Sequence, residues 1–148
     1  MKLIIASAAA ALALATPSFA EGDVEKGEKG FKKCKSCHTI VSPEGEAVIK
    51  GGKTGPNLYG VVGRVAGSED FKYGTGLAGA AEAGFVWTEE SITEYIKDPK
   101  KWLGDNGYDK KSKMSFKLKK GGEDIAAFLA SVAPAPEMAE EAESTESN

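Results

Sequence analysis

Residues 34–38 of the chain read Cys34-Lys35-Ser36-Cys37-His38, and they contain both cysteines and the single histidine of the 148-residue sequence. A Cys-x-x-Cys-His run is typical of covalent haem attachment in c-type proteins. The two thiols can add to the two vinyl groups of one porphyrin, and the adjacent imidazole can bind the iron. The run therefore predicts one haem c, attached through Cys34 and Cys37, with His38 as an axial ligand.

The first twenty residues have the pattern of a cleavable export signal. Lys2 supplies a positive charge, residues 3–15 form a short apolar run, and small residues surround a predicted cleavage point after Ala20. The apolar run is shorter than the roughly 20 residues of a membrane-spanning helix. We therefore predict a signal peptide over residues 1–20 and a mature chain in the periplasm. An uncleaved anchor is the alternative.

Export bears on the two cysteines, because thiol pairs in oxidising compartments normally form disulfides. A bridge between Cys34 and Cys37 would close a very small loop and would restrain the unfolded chain little. Haem attachment explains the pair better. Two rival sites stay open: a thiol–disulfide oxidoreductase, which needs a βαβ context, and a zinc site, which normally needs four protein ligands.

Charge divides the mature chain into two parts. Five of the 22 acidic residues lie after Pro134, in a stretch rich in Pro, Ala, Glu and Ser without Lys or Arg. This composition predicts a disordered acidic tail over residues 134–148. The body, residues 21–133, carries 18 basic and 17 acidic residues and fits one domain. Nucleic acid is not expected as a partner of such an exported chain.

Apolar spacing of three and four residues predicts an all-α fold with three main helices. The predicted apolar faces contain Val24, Gly27, Phe31 and Cys34 in the first helix, Ile92, Tyr95 and Ile96 in the second, and Ile125, Phe128, Leu129 and Val132 in the third. The first begins after Asp23, and the second begins at Thr88 and is ended by Pro99. The third follows Gly121 and Gly122 and is ended by Pro134 and Pro136.

The glycine on the apolar face of the first helix predicts that another helix, the last one, crosses closely there. A short helical turn is predicted at residues 100–103. The Gly-rich stretches 42–60 and 63–84 are predicted to be loops, which would pack on the haem as a large apolar body.

A second axial ligand can be sought among the methionines. After signal removal only Met114 and Met138 remain, and Met138 lies in the predicted tail. We therefore predict Met114 as the ligand, presented by a loop between two helices; a core gap-filler is the alternative. His/Met ligation raises the reduction potential and excludes oxygen, so such a protein transfers single electrons and is not an enzyme. A haem peroxidase or sensor would instead need Met114 unligated.

Five groups of residues carry a family resemblance. They are Val24-Glu25-Lys26-Gly27 with Phe31, the run 34–38, Thr54-Gly55-Pro56-Asn57-Leu58 with Gly60, Gly63 and Arg64, Tyr95 with Asp98-Pro99-Lys100-Lys101, and Lys113-Met114-Ser115-Phe116. In this order they resemble the class I c-type cytochromes, and most closely the longer bacterial members of the cytochrome c2 type. The resemblance implies the cytochrome c fold, with three main helices, short helices and Gly-rich loops around one covalently bound haem.

The resemblance also implies roles for five further residues. The Pro56 carbonyl would accept a hydrogen bond from the His38 ring. Arg64, Tyr73 and Trp87 would bind the buried haem propionates, and Tyr95 would lie near the Met114 sulfur. Ordinary surface or core roles are the alternative for each. The chain exceeds the short family members at residues 42–49, 74–84 and 104–111.

Lysines concentrate in the two segments that would meet at the haem. Lys32, Lys33 and Lys35 border the Cys-x-x-Cys-His run, and nine more lie between residues 97 and 120 among only three acidic residues. A positive surface at the haem edge would attract an acidic partner; a solvated surface without a partner is the alternative. The resemblance implies a soluble, monomeric carrier between membrane complexes, such as cytochrome bc1 and a terminal oxidase or photosynthetic reaction centre, with only transient contact at the membrane.

Overall fold

The computed structural model describes residues 22–133 of the chain. The predicted signal peptide and the predicted acidic tail lie outside these residues. The elements are α1 (Val24–Gly30), a 3-10 helix (Phe31–Lys33), β1 (Ile40–Val41), β2 (Ala47–Ile49), α2 (Thr75–Glu82), α3 (Glu89–Lys97), α4 (Pro99–Asp105) and α5 (Gly122–Ser131). Within this part of the chain, no helix is both long enough and apolar enough to cross a membrane.

Helices α1 and α5 cross in direct backbone contact at Gly27. A Cβ on Gly27 would lie 1.9 Å from the carbonyl oxygen of Asp124 and 2.7 Å from the Cβ of Phe128, so a larger residue does not fit. Beside the crossing, the backbone N–H of Asp23 donates to Asp124 Oδ1 at 2.8 Å. The rings of Phe31 and Phe128 pack with centroids 5.7 Å apart. The close crossing predicted from the glycine is confirmed.

The predicted apolar face of the first helix is right at its centre and wrong at its start. Phe31 is 1% exposed, whereas Val24 is 43% exposed. Val24 lies in the first turn, where the contact with α5 is made by the backbone of Asp23 instead. The helix also tightens into the 3-10 turn at Phe31–Lys33, which leads directly into Cys34.

Helix α3 begins with a reciprocal cap. The Thr88 hydroxyl accepts a hydrogen bond from the backbone N–H of Ser91 at 3.1 Å, and the Thr88 N–H donates to the Ser91 hydroxyl at 2.9 Å. This capping box satisfies two N–H groups that the helix cannot pair internally. The predicted start of the helix at Thr88 is confirmed.

One residue joins α3 to α4. Asp98 follows the last residue of α3, and its carboxylate accepts from the backbone N–H of Lys101 at 3.1 Å. Pro99 occupies the first position of α4, where its fixed φ and missing N–H suit a helix start. The proline therefore ends one helix and begins the next. The turn predicted at residues 100–103 is part of this longer helix.

The predicted loop over residues 63–84 is wrong at its end, where α2 forms. Packing outweighs the weak helix propensity of its glycines, because Gly76 is buried against the segment that follows α4. A Cβ on Gly76 would lie 2.2 Å from the carbonyl oxygen of Asp109, and the Gly76 N–H donates to the Lys111 carbonyl at 3.1 Å. Helix α2 and the segment that follows α4 thus support each other.

The predicted loop over residues 42–60 also needs correction, because part of it belongs to a small antiparallel hairpin. Ile40 pairs with Ile49 and Val41 with Ala47. The Asn57 amide takes the place of a neighbouring strand: its oxygen accepts from the Val41 N–H at 3.0 Å, and its nitrogen donates to the Val41 carbonyl at 2.7 Å. This pairing ties the hairpin to the segment that carries Pro56.

Candidate functional site

A cavity of about 260 Å³ gathers residues from nearly the whole described chain. All nine residues predicted to contact haem line it: Cys34, Cys37, His38, Pro56, Arg64, Tyr73, Trp87, Tyr95 and Met114. Much of the remaining wall is apolar, including Phe31, Leu58, Val61, Leu77, Ile92 and Leu129. Residues distant in sequence therefore form a single site.

The Cys-x-x-Cys-His run forms one compact turn directly after the 3-10 helix. The backbone N–H groups of Cys37 and His38 both donate to the Cys34 carbonyl at 3.0 Å. Both thiols are free, with Cys34 partly buried and Cys37 exposed. The turn thus brings two thiols and an imidazole to the same wall of the cavity.

The surroundings shift the acidities of these three groups in different ways. Burial raises the pKa of the Cys34 thiol to about 11, and the nearby charge of Lys33 opposes this only in part. Hydrogen bonds to the sulfur from Thr54 and then Ser36 lower the pKa of Cys37. Burial lowers the pKa of His38, against the smaller effect of its hydrogen bond to Pro56. His38 is therefore neutral at pH 7, the form that binds metal ions.

The imidazole of His38 is oriented by the Pro56 carbonyl, whose oxygen lies 2.8 Å from Nδ1. A carbonyl oxygen only accepts hydrogen bonds, so Nδ1 carries the proton and Nε2 keeps its lone pair. A partner of this kind fixes the ring and strengthens its donation to a metal.

A glycine-rich segment, residues 51–55, packs closely against the turn that carries the Cys-x-x-Cys-His run. Its residues were not among the predicted site residues. A Cβ on Gly55 would lie 2.4 Å from Cε1 of His38, and one on Gly51 would lie 1.9 Å from the His38 carbonyl oxygen. The Gly55 N–H also donates to the Cys37 carbonyl at 2.8 Å. The cluster Gly51-Gly52-Lys53-Thr54-Gly55 next to Pro56 is the sequence signal that could have identified this contact.

Met114 lies in the loop before α5, and its backbone is held by Ser112. The Ser112 hydroxyl accepts from the Met114 N–H and donates to the Met114 carbonyl, both at 3.1 Å. The Tyr95 hydroxyl lies 3.2 Å from Ser112 Oγ, and because the single Ser112 proton is directed to the Met114 carbonyl, Tyr95 is the donor in this pair. Tyr95 is buried, and burial raises its pKa against the opposing hydrogen bond to Ser112, so it stays a neutral donor. Ser112, which was not predicted, therefore links Tyr95 to Met114.

The guanidinium of Arg64 lies at the cavity wall and is fixed there by three hydrogen-bond acceptors. Its guanidinium donates to the carbonyl oxygens of Tyr59 and Asn57, each at 2.9 Å, and to the carboxylate of Glu69 at 2.8 Å. The Arg64 carbonyl accepts from the Trp87 N–H at 2.9 Å, which ties two predicted site residues together. Glu69 lies in an irregular loop, and nothing in the local sequence pattern distinguishes it.

Aromatic packing supports the cavity wall from behind. The Trp87 ring lies 5.1 Å from the rings of both Tyr95 and Trp102, and Phe85 is 5.1 Å from Trp102. Trp102 is 4% exposed and does not line the cavity itself.

Burial raises the pKa of Tyr73 more than the neighbouring charge of Arg64 lowers it, so this phenol is neutral as well.

The residues present fit a covalently attached haem. Two thiols, a neutral imidazole and a thioether share a largely apolar cavity. Among residues 22–133, no group of three or more His, Cys, Asp or Glu residues could hold a metal ion, which argues against the zinc alternative. The strands of this region pair only as the antiparallel hairpin, so the thiol pair has no βαβ context there.

Comparison with known proteins gives close relatives along most of the chain. No protein-family model matches it. It is 60% identical over 120 residues to cytochrome c-551 of Roseobacter denitrificans, covering 80% of this chain and 86% of the relative. It is 56% identical over 132 residues to cytochrome c2 of Rhodobacter capsulatus, covering 87% and 96%. The chain belongs to the cytochrome c2 family.

Solved cytochrome c2 and c-550 structures agree with this assignment. The cytochrome c2 structure from Rhodobacter capsulatus matches with a TM-score of 0.73 and 54% identity, over 75% of this chain and 98% of that chain. Ferric cytochrome c-550 from Paracoccus versutus matches with a TM-score of 0.71 and 53% identity, over 77% and 100%. Cytochromes c2 are electron-transfer proteins rather than enzymes and carry one covalent haem c. The predicted cytochrome c fold, cofactor and absence of enzymatic activity are confirmed.

Proposed function

We propose that the chain is a monomeric, exported one-electron carrier whose haem is attached through Cys34 and Cys37 and bound axially by His38 and Met114. The observation that carries this proposal is that these four side chains line one largely apolar cavity. When bound there, haem supplies a reversible one-electron couple of its iron.

The chain's own residues would keep both axial ligands in place. The Pro56 carbonyl accepts a hydrogen bond from Nδ1 and would thereby fix the tautomer and the orientation of the His38 ring. Ser112, supported by Tyr95, holds the backbone at Met114. With His38 and Met114 as its ligands, the iron would have no place for oxygen or substrates, so the chemistry that the haem would supply is one-electron transfer.

Arg64, Tyr73 and Trp87 are proposed to receive the haem propionates. A carboxylate in an apolar cavity needs charged or hydrogen-bonding partners. Arg64 supplies a guanidinium at the cavity wall, and Tyr73 supplies a neutral phenol. Trp87 is 7% exposed and would offer its indole N–H. Its backbone N–H donates to the Arg64 carbonyl, which keeps the two residues side by side.

Partners are proposed to dock where lysines border the cavity. Lys33, Lys111 and Lys113 are exposed and line its rim. Such a positive rim favours acidic surfaces and speeds association at low salt. We assign the partners to membrane redox complexes of the periplasm, such as cytochrome bc1 as donor and a terminal oxidase or photosynthetic reaction centre as acceptor. Residues 1–20 would direct export, and residues 134–148 would form an acidic tail outside the haem domain.

Absorption spectra and the mass of the purified protein test this proposal. We expect the mass of the mature polypeptide plus one haem, retained through acid–acetone extraction. Both oxidation states should be low-spin, and the oxidised protein should show the weak far-red band of sulfur-to-iron coordination.

Met114→Ala should abolish that band, lower the reduction potential and let the ferrous protein bind carbon monoxide. Met138→Ala is the matched control, because it removes the other thioether of the mature chain. A Met114→Ala protein with an unchanged band and potential would contradict the axial assignment. A colourless preparation with the mass of the bare polypeptide would contradict the proposal as a whole.

A further inference from the structure

The ion pair between Arg64 and Glu69 stands apart from the other ion pairs of residues 22–133. Its side chains are only 20% and 29% exposed, whereas each of the other pairs contains a side chain that is at least 54% exposed. Water screens a surface pair strongly and a partly buried pair much less. Glu69 therefore offsets the positive charge of Arg64 more strongly than the partners in the exposed pairs offset theirs.

The guanidinium of Arg64 has donors to spare. It carries five N–H groups in a fixed fork. Two on Nη1 are directed to Tyr59 and Glu69, and one on Nη2 is directed to Asn57. Within residues 22–133, no acceptor is bound by the second N–H of Nη2 or by the N–H of Nε, so both can serve another acceptor. Arg64 also lines the cavity, so a haem carboxylate and Glu69 would share one cation.

The charges of Glu69 and Arg64 would shift the reduction potential of the haem in opposite directions. Oxidised haem carries one more positive charge than reduced haem, so a nearby negative charge stabilises the oxidised state and a positive charge the reduced state. Glu69 adds a negative charge and offsets the positive charge of Arg64. Together with the carbonyl oxygens of Tyr59 and Asn57, the Glu69 carboxylate also fixes the position of the guanidinium.

We propose that Glu69 is a positioning residue that holds Arg64 and lowers the reduction potential of the haem. This inference rests on the proposed function, because it requires the propionates to lie beside Arg64. Haem attachment does not by itself require an acidic residue at position 69. The effect on the reduction potential is therefore a property of the loop that carries Glu69.

The reduction potential of Glu69→Gln tests the inference, with Asp70→Asn as the matched control. Both variants remove one negative charge from adjacent positions, but Asp70 is exposed. We expect Glu69→Gln to favour the reduced state two- to fivefold against a one-electron reference couple. That shift equals roughly 20 to 40 mV upward, since tenfold corresponds to about 59 mV. Asp70→Asn should shift the equilibrium much less.

A double variant separates positioning from charge alone. If Glu69 acts through Arg64, the shift caused by Glu69→Gln should shrink strongly in an Arg64→Gln background. A shift of the same or greater size in that background would overturn the positioning role. Equal potentials for Glu69→Gln and Asp70→Asn would overturn the inference altogether.

Denaturant unfolding gives a second readout that needs no Arg64 variant. Glu69→Gln should change the difference between the unfolding midpoints of the oxidised and reduced proteins. Equal shifts in both forms would indicate a purely structural role and would contradict the inference. Failure of the proposed function is distinguishable, because it would appear as a missing far-red band or missing haem in the unaltered protein.

Discussion

The imidazole of His38 is confined from two directions. The Pro56 carbonyl accepts a hydrogen bond from Nδ1, with 2.8 Å between the nitrogen and the oxygen, and the Cα of Gly55 faces the ring so closely that a Cβ would lie 2.4 Å from Cε1. The orientation of the proposed iron ligand is therefore built into two consecutive residues. Gly55 is used here for close approach and not for an unusual backbone angle, since its φ is not among the positive ones.

Replacing Gly55 with Ala should displace the His38 ring and weaken its bond to Pro56. We expect a loss of about 1–3 kcal/mol in the free energy of unfolding, the usual range for overpacking. Denaturant titration measures this loss, and the spectrum of the haem protein reports the altered ligand.

Gly79→Ala is the control for the Gly55 prediction. The nearest atom to a Cβ on Gly79 would be Tyr108 Cδ1, at 3.8 Å, and Gly79 lies within α2. Alanine favours a helix over glycine by up to about 1 kcal/mol, so this variant should be neutral or more stable. Equal losses for both variants would contradict the steric account.

At the scale of elements, the contact between α1 and α5 depends on Gly27. Gly27→Ala should destabilise the protein by about 3 kcal/mol, because the added methyl meets the backbone of Asp124 and cannot be relieved by a side-chain rotation. Gly30→Ala is the comparison on the same helix. Its Cβ would meet only the Ile125 side chain at 3.4 Å, so its effect should stay within about 1 kcal/mol. Unfolding midpoints of the two variants should differ clearly; similar midpoints would contradict the close crossing.

The junction of α3 and α4 should make stability depend on acid pH. Hydrogen bonding from Lys117 and then from the Lys101 backbone lowers the pKa of Asp98 below its usual value. A lowered pKa in the folded state means that the carboxylate stabilises the fold above the unfolded pKa of about 3.9, and that this stabilisation is lost as the pH falls through the folded pKa.

Urea midpoints between pH 2 and pH 7 test this dependence. Asp98→Asn keeps a good helix cap but loses the charge. It should therefore be less stable than the unaltered protein at pH 7, and the difference should vanish at the acid end. Lys117→Gln removes the same pair from the other side and should follow the same trend. A difference that stays constant with pH would exclude the ionised Asp98 as its source.

Elements with a local pattern were predictable, and elements held by distant residues were not. The positions of α1, α3 and α5 follow from apolar periodicity, from the cap at Thr88 and from Pro99. The crossing at Gly27 was predictable because a glycine on an apolar helix face lets a second backbone approach where any side chain would hold it away. Helix α2, by contrast, is supported by Asp109 and Lys111, far along the chain. Its glycine-rich sequence alone favours a loop.

The candidate site divides in the same way. The Cys-x-x-Cys-His run and the family motifs predicted nine residues that the structure brings to one cavity. The contributions of Gly51, Ser112 and Glu69 were not predicted. Gly51 lies against the His38 backbone, the Ser112 hydroxyl joins Met114 to Tyr95, and Glu69 pairs with Arg64. None of these single contacts leaves a periodic pattern in the sequence. Binding of haem by the nine residues stays a proposal, which the mass and spectra of the purified protein test.

At the scale of the whole molecule, charge is distributed unevenly although the body is nearly neutral. Lys33 is exposed at the rim of the cavity, whereas Lys29, in the last turn of α1, is not among the lining residues. Lys33→Gln and Lys29→Gln change the net charge equally. We expect Lys33→Gln to slow reduction of ferricyanide roughly threefold at low salt, because an anion is attracted to the rim.

Ionic strength provides the check on the lysine prediction. The difference between Lys33→Gln and Lys29→Gln should disappear near 1 M salt, where charges are screened beyond about 3 Å. Stopped-flow traces of the ferrous protein mixed with ferricyanide measure both rates. Equal rates for the two variants at low salt would contradict a local positive rim.

The crossing at Gly27 joins the two ends of the described chain. Helix α1 has little to pack against until α5, about a hundred residues later, is available. A polypeptide that lacks residues 122–131 therefore cannot complete this contact, and the domain cannot close until the final helix is present. The two thiols follow α1 and the 3-10 helix directly, so closing the chain at its two ends also fixes the wall of the cavity that carries Cys34 and Cys37.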